Sequence, residues 1–145
     1  YPGSALEQMI RAVIDTSVLV SSLISPQSTT GSVLKALRNG LFTVVYSSET
    51  LMEVVEVLGR DKFKLKYHIQ PDDITVLVNL IRLRGEAVYI NQRVVECRDP
   101  KDDKFLEAAL GGNADCIVSG DEGLLSMNPF RDIPILSPAE FLAKI

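Results

Sequence analysis

Residues 98–121 read RDPKDDKFLEAALGGNADCIVSGD. An Asp-Pro step and two further aspartates precede an amphipathic helical pattern, a Gly-Gly pair closes it, and an apolar run follows that ends in a Ser-Gly-Asp turn. Helix then strand, with carboxylates at the mouth of the helix and the end of the strand, is the repeating unit of an α/β fold. Asp99-Pro100 matches an N-cap followed by proline at the first helical position, which makes Asp99 structural and Asp102 the third helical residue and a capping partner. At about 100° per residue, Asp102 lines up with the apolar stripe of Phe105, Leu106 and Ala109, whereas Asp103 points about a quarter-turn away. Asp102 is thus expected at the sheet edge and Asp103 on its flank.

The same alternation runs through the rest of the chain. IRAVID (10–15) is a short apolar run ending in Asp15, and TSVLVSSLI continues with hydroxyls suited to capping a helix. Residues 29–39 place Val33, Leu34 and Leu37 at helical spacing before an Asn39-Gly40 stop. FTVVYS (42–47) is β-branched and aromatic, hence a strand. SSETLMEVVEVLGR (47–60) reads as a helix with a box-like Ser48 to Leu51 start and a stripe of Leu51, Val54, Val55 and Leu58, ended by Gly59. RDKFKLKYH (60–68) alternates basic and apolar side chains, and PDDITVLVNLIRLRG (71–85) resumes a helix with proline and two aspartates in its first turn. EAVYI (86–90) is a third strand, EGLLSM (122–127) a short helix, IPILS (133–137) a last strand and PAEFLAKI (138–145) a last helix. Strands alternating with helices, most of them apolar on both faces, predict a three-layer α/β/α sandwich around a mostly parallel sheet.

Composition narrows the chemistry. With 145 residues, 46% hydrophobic and 23% charged, the chain suits one soluble globular domain, expected over residues 9–145. The first eight residues, YPGSALEQ, lack periodicity and read as a non-native or disordered extension. No apolar run reaches the roughly 18–20 residues of a membrane span, and the longest, VIDTSVLVSSLI, is interrupted by Asp15. Cys97 and Cys116 have neither metal-ligand spacing nor a secretory signal beside them, so a reducing cytoplasm is the plainest setting. A single histidine, His68, and no tryptophan leave little room for His-dependent triads or His-rich zinc sites. The absence of GxxxxGK and GxGxxG removes most support for ATP or NAD binding. At a net charge of −4, a nucleic-acid substrate would need a local basic surface or metal ions in an acidic cleft.

Such a cleft is expected. Ligand crevices in open parallel sheets lie beyond the carboxyl ends of the strands; Asp15 ends the first strand, Asp121 the fourth, and the 98–112 helix adds Asp102. Singly, Asp15 and Asp121 read equally well as helix caps. Together, carboxylates at one edge repel and raise one another's pKa unless a cation sits among them. Mg²⁺ or Mn²⁺ is the natural choice, because hard divalent cations take carboxylate oxygen and keep several waters. Such an ion can activate water and brace the leaving oxygen of a phosphodiester.

The set AVIDTSVLVSSL, SSETLMEVVEVLGRDKF, RDPKDDKFLEAAL with NADCIVSGDEGLL, and IPILSPAEFL resembles the PIN-domain family, more closely its bacterial and archaeal branch of toxins from toxin–antitoxin pairs. The resemblance runs from residue 10 to 142. It implies a metal-dependent ribonuclease with three or four acidic residues and one or two Mg²⁺ or Mn²⁺ ions. The acidic positions fall on Asp15, Glu53, Asp102 (with Asp103 as alternate) and Asp121, and Ser119 stands where threonine is more usual. Helical periodicity alone would leave Glu53 on a solvated face, like Glu49 and Glu56. The implied mechanism is water attack on RNA: Asp15, Asp102 and Asp121 hold metal, Glu53 completes the site or orients the nucleophile, and Thr16 and Ser17 support Asp15. Arg60, Lys62, Lys64, Arg98, Lys101 and Lys104 are candidates for the RNA backbone. The resemblance also implies a homodimer and a protein antitoxin as partner. A binding protein of weak or no nuclease activity is the main rival. A haloacid-dehalogenase-like phosphatase or receiver domain fits less well, since DTS lacks the second aspartate of DxD and no lysine ends the last strand.

Overall fold

Five parallel strands make one sheet in the order β3-β2-β1-β4-β5, with β1 at Arg11–Ile14, β2 at Thr43–Tyr46, β3 at Gly85–Ala87, β4 at Cys116–Val118 and β5 at Ile135–Leu136. The structure is a computed structural model and describes residues 9–145, so the extension expected over residues 1–8 lies outside it. Helices α1 (Thr16–Ile24), α2 (Thr29–Arg38), α3 (Ser48–Leu58), α4 (Asp61–Lys66) and α5 (Pro71–Arg84) occupy the first half of the chain. A 3₁₀ turn (Pro100–Asp102), α6 (Asp103–Gly111), α7 (Glu122–Leu125) and α8 (Pro138–Leu142) complete it. Among the described residues no helix is long and apolar enough to cross a membrane.

The strands are only two to four residues long, so packing must hold them. Successive side chains point to opposite faces, and both faces are covered. Ala12, Ile14, Val44, Cys116, Val118 and Leu136 pack with α1, α2, α3, α5 and α8 on one side. Val13, Val45, Ile117 and Ile135 pack on the other with Phe105, Leu106, Ala108 and Ala109 of α6 and Leu124 of α7. Each large aliphatic or aromatic side chain buried in these layers contributes about 1.5–3 kcal/mol. The expected α/β/α sandwich is the observed architecture, and its sheet is parallel throughout.

Local details depart from the sequence reading. The third strand is Gly85–Ala87, not 86–90, because α5 runs straight into it without a loop. Only glycine fits this junction: a Cβ on Gly85 would lie 2.4 Å from the Ile81 carbonyl oxygen and 2.7 Å from the Val44 side chain. After the Val88 N–H donates to the Tyr46 carbonyl at 2.8 Å the chain leaves the sheet, and Tyr89 is exposed. Helix α3 is capped by Ser47, not Ser48; Ser47 and Thr50 exchange side-chain-to-backbone hydrogen bonds at 3.2 and 3.0 Å. Val55 lies outside the core stripe, which Thr50, Val54 and Leu58 form. The alternating 60–68 segment contains α4, from which Phe63 alone is buried.

Residues 88–99 contain no helix or strand, and two carboxylates one helical turn apart on α6 hold them. Asp103 accepts from the amides of Glu96 (3.1 Å) and Cys97 (2.8 Å), and Glu107 accepts from the Val94 amide (2.9 Å) and Arg93 (3.2 Å). Both acids are buried. Satisfying loop amides with side-chain oxygen replaces the ladder bonds a strand would have made.

Candidate active site

Strands β2 and β3 lie to one side of β1, β4 and β5 to the other. The order therefore reverses between β1 and β4, where open parallel sheets place their crevice. Ile14 pairs with Val118, so the next residues, Asp15 and Ser119, meet across this switch point. The Asp15 amide closes the last rung on the Val118 carbonyl at 2.9 Å.

Asp15 is 5% exposed and caps α1. Its carboxylate accepts from the Ser17 amide at 3.2 Å, the Ser17 hydroxyl at 3.0 Å and the Ser119 hydroxyl at 2.7 Å. Burial pushes its pKa up, the hydrogen bonds from Ser119 and Ser17 draw it part of the way back, and the charge of Asp121 adds to the rise. Fully buried Ser119 also accepts the Asp121 amide at 2.9 Å, which joins the ends of both strands through one hydroxyl. Asp121 caps α7 through the Leu124 amide at 3.1 Å.

Asp102 reaches this edge from the other side. Asp99 caps the 3₁₀ turn by accepting the Lys101 amide at 3.0 Å. Asp102 ends that turn and makes no side-chain cap bond, contrary to its expected capping role. Its carboxyl is half-buried and pushed up to about 6, first by burial and then by the charges of Asp15, Asp121, Asp99 and Glu53. Asp102 and Asp121 border one hollow, and Asp15 and Glu53 another. Asp103, one residue on, does not join them. Burial raises its pKa, but the Cys97 and Glu96 amides and the Cys97 thiol outweigh that and hold it below the ordinary aspartate value. Its carboxylate is committed to the 96–97 backbone, which removes it as an alternate ligand in this arrangement.

Two further expectations are redrawn. Thr16 does not support Asp15; its hydroxyl donates to Glu53 Oε1 at 2.6 Å. Lys104 pairs with Glu53 Oε2, so it does not stand free for a phosphate. Glu53 is 22% exposed, well below its place on a solvated helix face, because α3 leans over the cleft toward α1 and α6. Sequence spacing carries no signal for this pair, whose members lie 51 residues apart.

The remaining basic candidates scatter around the rim. Arg60 pairs with Glu56 at 2.8 Å, Lys62 lies over the Phe63 ring at 5.5 Å, and Lys64 is exposed on α4. Arg98 borders a hollow of about 520 Å³ with Asp102 and Asp121, and Lys101 borders one of about 600 Å³ with Glu53 and Lys104. A third, of about 400 Å³, reaches from Asp15, Ser17 and Glu53 to Val20 and Phe63.

The donors offered to a cation are carboxylate and hydroxyl oxygens, the set that hard divalent ions select. Among the described residues no three acidic, cysteine or histidine side chains stand together as a group that could hold a metal ion. The charges of Asp15 and Asp121 help to raise the Asp102 carboxyl, a repulsion that a cation relieves, and an ion that keeps several of its waters does not require a full set of protein ligands. The donor types present suit Mg²⁺ or Mn²⁺.

Comparison with known proteins gives the same frame. Residues 11–123 match the family described as PIN domain, a span that contains Asp15, Glu53, Asp102, Ser119 and Asp121. Over 118 residues the chain is 27% identical to the uncharacterized protein MJ1680 of Methanocaldococcus jannaschii, covering 81% of this chain and 75% of that one. Among solved structures it is similar to VapBC2 from Rickettsia felis bound to a DNA fragment from their promoter, with a TM-score of 0.59 and 13% identity over 88% of this chain and 98% of that one. At that identity the likeness is one of fold. The chain belongs to the PIN domain family.

Proposed function

We propose that the protein is a metal-dependent endoribonuclease that hydrolyses RNA phosphodiester bonds and acts as the toxin of a toxin–antitoxin pair. The observation that carries the reading is the hydrogen-bonded chain Asp15–Ser119–Asp121 at the β1/β4 switch point, with Asp102 and Asp121 bordering one hollow beside it. Family membership supports a hydrolase, since PIN domains are generally nucleases. The likeness of the motifs to the toxin branch supports a protein antitoxin as partner, and the similar VapBC2 of Rickettsia felis is a complex bound to promoter DNA.

Asp15, Asp102 and Asp121 would hold Mg²⁺ or Mn²⁺, which supplies a water acidic enough to attack near neutral pH and positive charge for the leaving oxygen. Ser17 and Ser119 fix the orientation of Asp15, as supporting hydrogen bonds do for metal-bound carboxylates. Glu53 closes the cleft on the α3 side. Arg98, beside the hollow of Asp102 and Asp121, and Lys101, beside that of Glu53, would take phosphates of the RNA backbone.

The test is cleavage of RNA in Mn²⁺ by the native protein beside Asp15→Asn. Cleavage by the native protein that is lost in the variant supports the reading. Equal cleavage by both overturns the role of Asp15, and cleavage by neither overturns the nuclease reading.

A further inference from the structure

One cation is already built into the acidic cleft. Lys104 pairs with Glu53, and of the six ion pairs among the described residues this is the one in which both side chains are less than a quarter exposed, at 18% and 22%. Both Glu53 oxygens are engaged, Oε2 by the Lys104 ammonium and Oε1 by the Thr16 hydroxyl at 2.6 Å. Glu53 borders the same hollow as Asp15. The ammonium therefore holds the carboxylate that borders the hollow of Asp15, one of the residues that the preceding reading assigns to a divalent ion. Exposed ion pairs contribute little, but a mostly buried one beside further unpaired carboxylates alters the field of the whole group.

We propose that Lys104 is a tethered counter-ion of the cleft, which keeps Glu53 out of the cation-binding set and thereby sets how tightly the cleft binds a divalent metal. The inference rests on the metal-dependent reading above. The physical basis is the number of negative ligands: affinity of an oxygen site for a hard divalent ion follows its charge count. Lys104 cancels one charge and occupies the carboxylate that carries it. Removing the ammonium leaves a full negative charge on Glu53, and a further unit of negative charge about 6 Å from a divalent ion strengthens binding by about tenfold even at the dielectric of bulk water.

The experiment is calorimetric titration of Mn²⁺ into the native protein, Lys104→Met and Lys104→Arg, with thermal melting of each to establish that it is folded. Lys104→Met is expected to bind Mn²⁺ about tenfold more tightly than the native protein, and Lys104→Arg, which keeps the charge, to bind like it. Equal or weaker binding by Lys104→Met overturns the inference and leaves the metal-dependent reading standing. Absence of binding by both the native protein and Lys104→Met overturns that reading and this inference with it. A loss of melting temperature in Lys104→Met with unchanged Mn²⁺ affinity assigns Lys104 a purely structural role and also overturns the inference.

Discussion

The Ser119 hydroxyl donates to Asp15 Oδ2 over 2.7 Å inside the sheet while its oxygen accepts the Asp121 amide at 2.9 Å. One small side chain thus couples the aspartate that follows β1 to the one that follows β4. Ser119→Ala leaves a buried carboxylate short of a donor, a loss worth about 1–3 kcal/mol in urea unfolding. RNA cleavage is expected to fall by about 10–100-fold, the usual cost of removing a hydrogen bond that orients a metal-binding carboxylate. Ser119→Thr keeps the hydroxyl and should retain most of the activity.

Asp103 should behave as a structural residue. It holds the 96–97 backbone, and its pKa lies below the ordinary aspartate value of 3.8. Because the folded state binds that proton less tightly than the unfolded chain, the stability Asp103 supplies is fully present above about pH 4 and is lost as pH falls through its lower folded value. Asp103→Ala should cost about 1–3 kcal/mol at pH 7 by urea unfolding, with the deficit shrinking toward acid pH.

Asp102 has the opposite sign. Its carboxyl is raised from 3.8 to about 6, so without metal the folded protein binds that proton more tightly than the unfolded chain. Stability is therefore greatest below about pH 4 and declines as pH rises through 6. Asp102→Asn removes the penalty. After discounting for solvent screening at a half-exposed site, the gain at pH 8 is about 1 kcal/mol, or roughly 2–4 °C in melting temperature, and vanishes near pH 4. Thermal melts in chelator at the two pH values measure it.

Much of the fold was legible because its signals are local. Apolar runs alternating with helical stripes pointed to the parallel sheet, and Asp15 and Asp121 lie after β1 and β4 as expected, joined through Ser119. Helical phase put Asp102 on the apolar stripe and Asp103 on its flank, but the turn is 3₁₀, and it is Asp103 that is buried while Asp102 stays half-exposed. What spacing could not supply was side-chain partnership across the chain. Thr16 and Lys104 converge on Glu53 from different helices, and only tertiary packing brings them there. The commitment of Asp103 to the 96–97 amides depends on a loop with no periodicity to read. The short third strand depends on Gly85, where the backbone of α5 meets Val44 too closely for any side chain.

The neighbouring aspartates provide the most direct measurement: RNA cleavage in Mn²⁺ by Asp102→Asn, with its melting temperature recorded alongside. If the carboxylates at the β1/β4 switch point form the nuclease centre, Asp102→Asn stays folded, melts no lower than the native protein, and loses cleavage by about a hundredfold or more. An Asp102→Asn protein that cleaves RNA at the native rate would contradict that centre.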